Sequence, residues 1–320
     1  MISFIVIGKN EGWKLAKCFD SILSFVKANN LVDSEIIYVD SRSTDNSIKT
    51  ALSYNIVKTF TITGECNAAV ARNIGGIESK GDVLYFIDGD MEIDTQFYSS
   101  AFDATTEHLK YDFVTGHLYE KRYNQEWTLT WEGMRKNYPS SDSFIDVTGG
   151  IFIIKKSVWQ SVEGMKTKYK RSQDHDLCLR LSELNVRVLQ IAKIIATHHT
   201  IPHNDEKRKW KLLTDGSLLY SSVLLRDHFL NRNFFKYYVL QNYTLLALLT
   251  FGLAAVYFNC YLLLGAYLAI AVFKTLRTYQ NYGLNIIINL AHLFLRDVVR
   301  IGAIFVFWPS NHALEYSREF

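Results

Sequence analysis

The spacing richest in chemistry is Asp88-Gly89-Asp90, two carboxylates two residues apart behind the apolar run Val83-Leu84-Tyr85-Phe86-Ile87. A run of that kind reads as a buried strand, so both carboxylates leave the same edge at its end. Gly89 between them lets a ligand approach the backbone. Hard oxygen donors so placed suit Mg2+ or Mn2+ bridged to a diphosphate. The plainer alternative is an acidic turn with no ligand.

Other polar groups fall at comparable places. Asn10 and Glu11 follow the apolar Ser3–Ile7, and Asp40-Ser41-Arg42-Ser43-Thr44-Asp45 follows Glu35–Val39. Ala71-Arg72-Asn73 lies on an expected helix. Each is weak alone: Asp45 is of the type that caps helices, and Arg72 is compatible with a solvated helix face.

The elements that must position these residues alternate. Strands are expected at Ser3–Ile7, Glu35–Val39, Ile56–Thr61 and Asp82–Ile87, with helices at Trp13–Ala28, Asp45–Tyr54 and Cys66–Glu78. In the first helix Leu15, Phe19, Ile22, Leu23 and Val26 recur at helical spacing. Strand and helix in alternation predict an α/β fold, a mostly parallel sheet covered on both faces. Ligands then bind beyond the carboxyl ends of the strands, where the polar groups fall. Residues 111–203 are less regular, with Tyr119, Tyr123, Trp127 and Trp131, the pair Gly149-Gly150, a strand Ile151–Lys155 and a helix Asp174–Leu184. Tyr123, Trp127 and Trp131 would serve as a sugar or lipid platform or as core. His198, His199 and His203 follow a strand-like Val188–Ala196.

Taken in order, these motifs resemble family 2 glycosyltransferases of the GT-A (Rossmann-like) fold, over roughly residues 1–205. The resemblance rests on Ser3–Glu11, Asp40–Asp45, Ala71-Arg72-Asn73, Asp82–Asp90, Gly149-Gly150 and Gln173–Arg180. It implies a nucleotide-sugar site from Asn10, Glu11, Asp40, Ser41, Arg72, Asp88 and Gly89. Asp40 would meet the nucleobase, Arg72 the diphosphate, and Asp88 the ribose or the metal. Asp90 would ligate Mn2+ or Mg2+, with either His198 or His199 as a further ligand. Gly149 and Gly150 match the family's acceptor-side turn, and Trp131 is assigned to the same side. In Gln173-Asp174-His175-Asp176, Gln173 replaces the usual Glu, while Asp174 keeps the place of the general base of an inverting transfer. Asp176 is given a supporting role, capping or orienting the helix.

Beyond His203 the composition turns apolar. Trp210–Leu230 reads as an amphipathic helix with a basic start at Lys207, Arg208, Lys209 and Lys211, suited to an anionic membrane surface or simply to solvent. Val239–Phe258 gives about twenty uncharged residues, enough to cross a bilayer, whereas Tyr261–Phe273 is short for a span. Leu284–Trp308 carries His292, Arg296, Asp297 and Arg300, which favours an interfacial or bundled helix. Arg226, Arg232 and Lys236 before the first span, and Lys274 and Arg277 after the second, fit a hairpin entered and left from the cytosol. The expected layout is a catalytic domain over 1–205, an amphipathic segment over 206–236, and a membrane hairpin with an interfacial helix over 237–320.

A net charge of +3 implies no nucleic-acid or other general polyanion partner. Four scattered cysteines fit a reduced, cytosolic catalytic part, and the N-terminal stretch lacks the basic start of a signal peptide. The expectation is a catalytic domain on the cytoplasmic side of a cell inner membrane. It would transfer one sugar, from a UDP-sugar or another nucleotide-diphosphate sugar, to a lipid-linked or membrane-associated saccharide. A processive polysaccharide synthase is the nearest alternative, but Asp205-Glu206-Lys207-Arg208-Lys209-Trp210 does not match the Gln-x-x-Arg-Trp motif of such enzymes. A nucleotidyltransferase would carry a Gly-rich basic loop where Gly8-Lys9-Asn10-Glu11 stands. A non-catalytic nucleotide-sugar-binding membrane scaffold would not need both Asp90 and Asp174. Nothing in the sequence sets an oligomeric state.

Overall fold

The structure is a computed structural model that describes residues 1–103, 106, 108–201, 206–279 and 286–320. Side chains of residues 206–209, 236, 237, 278 and 279 lie outside that description, as does His203, so the expectations for Lys207, Arg208, Lys209, Lys236 and His203 fall outside it too. In chain order the elements are β1 (Ile2–Gly8), α1 (Trp13–Ala28), β2 (Ser34–Asp40), α2 (Ser47–Leu52), β3 (Val57–Ile62), α3 (Ala68–Glu78), β4 (Val83–Asp88) and β5 (Met91–Ile93). Next come α4 (Phe97–Ala101), β6 (Phe113–Tyr123), β7 (Leu129–Met134), β8 (Ser143–Ile145), β9 (Phe152–Lys155), α5 (Lys156–Ser161), α6 (Gln173–Glu183) and β10 (Val188–Thr200). The chain closes with α7 (Glu206–Thr214), α8 (Tyr220–His228), α9 (Arg232–Tyr257), α10 (Leu263–Tyr279), α11 (Ile286–Val306) and β11 (Tyr316–Arg318). They form two units, Met1–His203 with Ser310–Phe320, and Asn204–Pro309.

The first unit is one sheet ordered β11-β3-β2-β1-β4-β9-β6-β10-β5, with β7 on β6 and β8 on β10. Its strands are flanked by helices. The period of two in β1 explains why it lies in the middle: Phe4 and Val6 point to the face covered by α1, Ile5 and Ile7 to the face covered by α3. Gly75 sets the closeness of α3 to β1, because a Cβ there would run into the Ile5 side chain.

The mostly parallel sheet expected from the sequence is a mixed one. Pairings among β3, β2, β1 and β4, and between β6 and β10, are parallel. Strand β9 enters between β4 and β6 antiparallel to both, and β5, β7, β8 and β11 also pair antiparallel. Helices α1, α2 and α3 supply the crossovers among β1, β2, β3 and β4, and the stretch carrying α5 and α6 supplies the one from β6 to β10.

Residues 310–320, which the sequence reading placed in the membrane part, add β11 to the edge of this sheet through Tyr316↔Ile62, Ser317↔Thr61 and Arg318↔Phe60.

The second unit is helical. The single helix expected at Trp210–Leu230 is broken at Gly216, whose φ of +74° ends α7; a short 3-10 turn over Ser217–Leu219 then leads into α8. Helix α9 begins at Arg232, ahead of the 236/237 boundary drawn from composition. Asn231 caps it, its Oδ1 accepting from the Asn233 and Phe234 amides. Tyr238–Tyr257 is long and apolar enough to cross a membrane, and among the described residues it is the one helix that is. The charged residues of α11 are mostly turned inward: Asp297, Arg300 and His292 are buried.

Candidate active site

The carboxyl ends of β1, β2 and β4 open on one cleft of about 470 Å³. Glu11, Ser41, Arg72, Asp88, Asp90, Gly149, Gly150 and Asp174 all line it, eight residues expected from the sequence. Asn10 and Asp40 stand behind this wall. The buried Asp40 carboxylate accepts from the Ser43 amide (2.6 Å), the Ser43 hydroxyl (2.5 Å) and the Tyr38 hydroxyl (2.7 Å). Asn10 Oδ1 accepts from the Thr44 amide at 2.7 Å, fastening the loop after β1 to the loop after β2. Both residues therefore shape the wall rather than line it. Gly89 admits Glu11: a Cβ there would stand 3.0 Å from Glu11 Cγ.

Arg72 projects from α3 with a side chain only 4% exposed, and its Nη2 donates to Asp88 Oδ1 (2.7 Å) and to the Gly150 carbonyl (3.2 Å). Gly150 has to be glycine, since a Cβ would collide with the Asp88 carboxylate. Burial raises the pKa of Asp88, with Arg72 opposing it. A guanidinium, a carboxylate and a carbonyl thus form one clamp at the end of β4.

Asp90 Oδ2 faces His198 Nε2 at 3.3 Å and the Lys14 ammonium at 3.9 Å. Burial works against its charge, but the His198 contact and Lys14 hold its pKa below the usual carboxylate value. Its Oδ1 is buried with no hydrogen-bond partner among the described residues. Lys14 also binds Glu11 Oε2 at 2.6 Å, while burial and Asp90 push the Glu11 pKa upward.

The two adjacent histidines part ways because successive strand residues face opposite sides. His198 faces Asp90, with Nδ1 3.5 Å from Glu120. His199 turns away, its ring bonded to the Tyr123 hydroxyl and to Glu92, while its amide donates to the Asp90 carbonyl. Burial lowers the His199 pKa.

Asp174 lies in the first turn of α6, across the cleft from β4. Its Oδ1 accepts from the His175 amide at 2.9 Å, and burial raises its pKa. Beside it, Gln173 has a buried carbonyl oxygen without a partner among the described residues. Asp176 pairs instead with Arg180, its Oδ2 accepting from Nε (2.9 Å) and Nη2 (2.8 Å), while Nη1 donates to the Val162 carbonyl and Nη2 to the Gly164 carbonyl, so this pair fixes the helix against the preceding loop. Trp131 lies on β7, 41% exposed, under the Arg122 guanidinium (4.1 Å to the ring), and is not among the cleft-lining residues.

Lys9, Cys66, Asn67 and Ala68 also line the cleft and were not anticipated. Asn67 caps α3, accepting from the Val70 amide, and donates to the Thr167 carbonyl. An Asn just before an apolar helix was the available signal. Glu120, held by Arg122 at 2.7 Å, gave no local signal, because only the pairing of β6 with β10 brings it to His198.

Among the described residues no three Asp, Glu, His or Cys side chains are already closed into a metal cage. The Asp90 oxygen without a partner, with Asp88 and the His198 Nε2 beside it, is a donor set that an oxygen-seeking divalent cation fits.

Residues 3–161 match the model of a family described as Glycosyl transferase family 2. No curated protein matches the chain. Among solved structures, S. aureus TarS 1-349 in complex with UDP-GlcNAc is 15% identical, over 94% of this chain and 92% of that one, with a TM-score of 0.51. GalNAc-T7 with UDP, GalNAc and Mn2+ is 13% identical over 66% of this chain, with a TM-score of 0.50. S. aureus TarS 1-349 in a second structure is 15% identical over 62% of this chain, with a TM-score of 0.49. The alignments span 60% of the latter chain and 47% of GalNAc-T7. At these identities the likeness is one of fold.

Proposed function

The chain belongs to glycosyl transferase family 2, and from that premise we propose that it moves a single sugar, with inversion, from a nucleotide-diphosphate sugar to a membrane-associated saccharide. The observation that carries this is the meeting of Arg72, Asp88, Asp90 and Asp174 in one cleft, from three separate stretches of sequence. A UDP-sugar is the preferred donor. The fold-level neighbours solved with UDP-GlcNAc and with UDP support that choice.

In this reading the nucleotide enters along Ser41, Cys66, Asn67 and Ala68, with its diphosphate toward Arg72. Asp174 takes the proton of the acceptor hydroxyl as that oxygen forms its bond to the anomeric carbon. The bond between that carbon and the diphosphate oxygen breaks on the opposite face, and Arg72 stabilises the charge left on the departing diphosphate. Asp90, Asp88 and His198 would hold Mn2+ or Mg2+, which supplies further positive charge at that diphosphate. His198 is preferred to His199, whose ring is already engaged by Tyr123 and Glu92.

A membrane setting is supported by Tyr238–Tyr257 and by the apolar side chains the second unit leaves exposed, among them Leu253, Val256, Leu262, Phe273, Ile287 and Phe305. The test is to incubate the purified full chain with a panel of nucleotide sugars and Mn2+, following nucleotide release. Selective turnover of one donor, lost in Asp90→Ala, is expected. Equal, metal-indifferent release from all donors, or none from any donor in the presence of membranes, would count against the reading.

A further inference from the structure

Three cations of the helical unit lie around Asp297, and Arg296 is the one shown paired with it. Lys274 Nζ on α10 lies 3.5 Å from the Thr244 hydroxyl of α9, and Arg296 Nη2 on α11 lies 3.3 Å from the same oxygen. Arg296 also pairs with Asp297 Oδ1 at 2.8 Å. Arg300, one helical turn further along α11 and 5% exposed, donates to the Ser221 hydroxyl at 2.6 Å. The charges that act on Lys274 among the described residues are Arg296, Asp297 and Arg300. Asp297 is fully buried and neutralises one of the three cations.

Among the described residues two positive charges are thus left without a counter-charge where burial makes that expensive. Residues 204–309 as a whole carry eleven Lys and Arg against five Asp and Glu. Lys274 and Arg296 are only half-buried, so the cluster opens outward, while Asp297 and Arg300 form its floor. Its neighbours in sequence, Phe273, Leu276, Phe294 and Leu295, are exposed and apolar. Thr244 stands six residues into Tyr238–Tyr257, two past the break in helical geometry at Asn242, and long Lys and Arg side chains at such a place snorkel toward the headgroups.

We propose that Lys274, Arg296 and Arg300 bind the phosphate of a lipid headgroup, with the lipid tail lying along the apolar side chains beside them. The exposed apolar border favours a lipid over free phosphate, because a phosphate alone would leave it in water. The site rests on the membrane reading of residues 204–309 given above.

The experiment uses the full chain in a zwitterionic detergent, with lipid retention read by native mass spectrometry. Phosphatidylglycerol is the probe, phosphatidylcholine and inorganic phosphate are separate arms, and membrane association after an alkaline wash is followed in parallel. The parent chain should retain phosphatidylglycerol in preference to phosphatidylcholine. Lys274→Gln and Arg296→Gln should each weaken retention about tenfold, the scale of one charge-assisted hydrogen bond. Arg277→Gln, an exposed change on the same helix, should leave it unaltered. Lys274→Arg and Arg296→Lys keep the charge, so retention by these variants covers the case in which a Gln variant does not fold.

Retention unchanged in the Gln variants, retention lost equally in the Arg and Lys variants, or binding of inorganic phosphate with no preference for the lipid would each overturn the site. A parent chain that washes free of membranes would sink the membrane reading itself. Variants that stay in membranes but keep full lipid retention sink only the site.

Discussion

Burial raises the pKa of Asp174, and the base it supplies works only when unprotonated. Turnover should therefore fall on the acid side at a higher pH than an unperturbed aspartate would give, and the acid limb should vanish from the residual activity of Asp174→Asn. A pH–rate profile of kcat for both proteins checks this. A second residue-scale prediction concerns Gly150. Alanine there would drive a methyl group into the Asp88 carboxylate and disturb the Arg72 clamp. Breaking a buried pair costs about 3–5 kcal/mol when one partner is left charged and alone. Gly150→Ala should accordingly weaken nucleotide binding at least about tenfold by titration calorimetry, with the fold retained by circular dichroism. Much of this site was legible in the sequence, because Asp88 and Asp174 each stand at an element boundary that local patterning marks and Arg72 lies on a helix that the same patterning predicts. Which of His198 and His199 faces Asp90 was not, since it depends on which face of β10 lies toward the cleft. Nor were the tasks of Asp40 and Asn10, whose partners Ser43 and Thr44 become visible only once the turn is built.

At the scale of elements, the first four strands follow their expected order, and the period of two in β1 already implies burial on both faces. Strand β9 was read as a strand, but its direction could not be, because direction is set by which neighbours have edges free. The C-terminal strand was hidden by composition: eleven mixed residues after a long apolar stretch look like a continuation of it. Yet β11 reaches the loop after β3. The Glu315 carbonyl accepts from the Thr63 and Gly64 amides, and the Tyr316 hydroxyl donates to Glu78 at 2.6 Å. Thr167, whose carbonyl accepts from Asn67, also exchanges hydrogen bonds with His312. Ending the chain after Pro309 should therefore loosen the Cys66–Asn67 wall and raise the donor KM several-fold more than it lowers kcat. Tyr316→Phe removes one hydrogen bond and should cost about 1 kcal/mol in chemical unfolding, with little effect on turnover. A truncation that lowers kcat alone would contradict the assignment of the tail to the nucleotide side.

For the whole molecule, the change of composition near His203 marks the division between the two units, while the return of residues 310–320 to the first unit does not show in it. The proposed sugar transfer rests most heavily on Asp174 as its base. The decisive measurement pairs sugar transfer with donor binding for Asp174→Asn in the full chain with Mn2+. Loss of a positioned general base should slow transfer by about 10²–10⁴-fold, with the donor Kd within a few-fold of the parent. Transfer at the parent's rate, with the donor still bound, would contradict the assignment of Asp174 as the base.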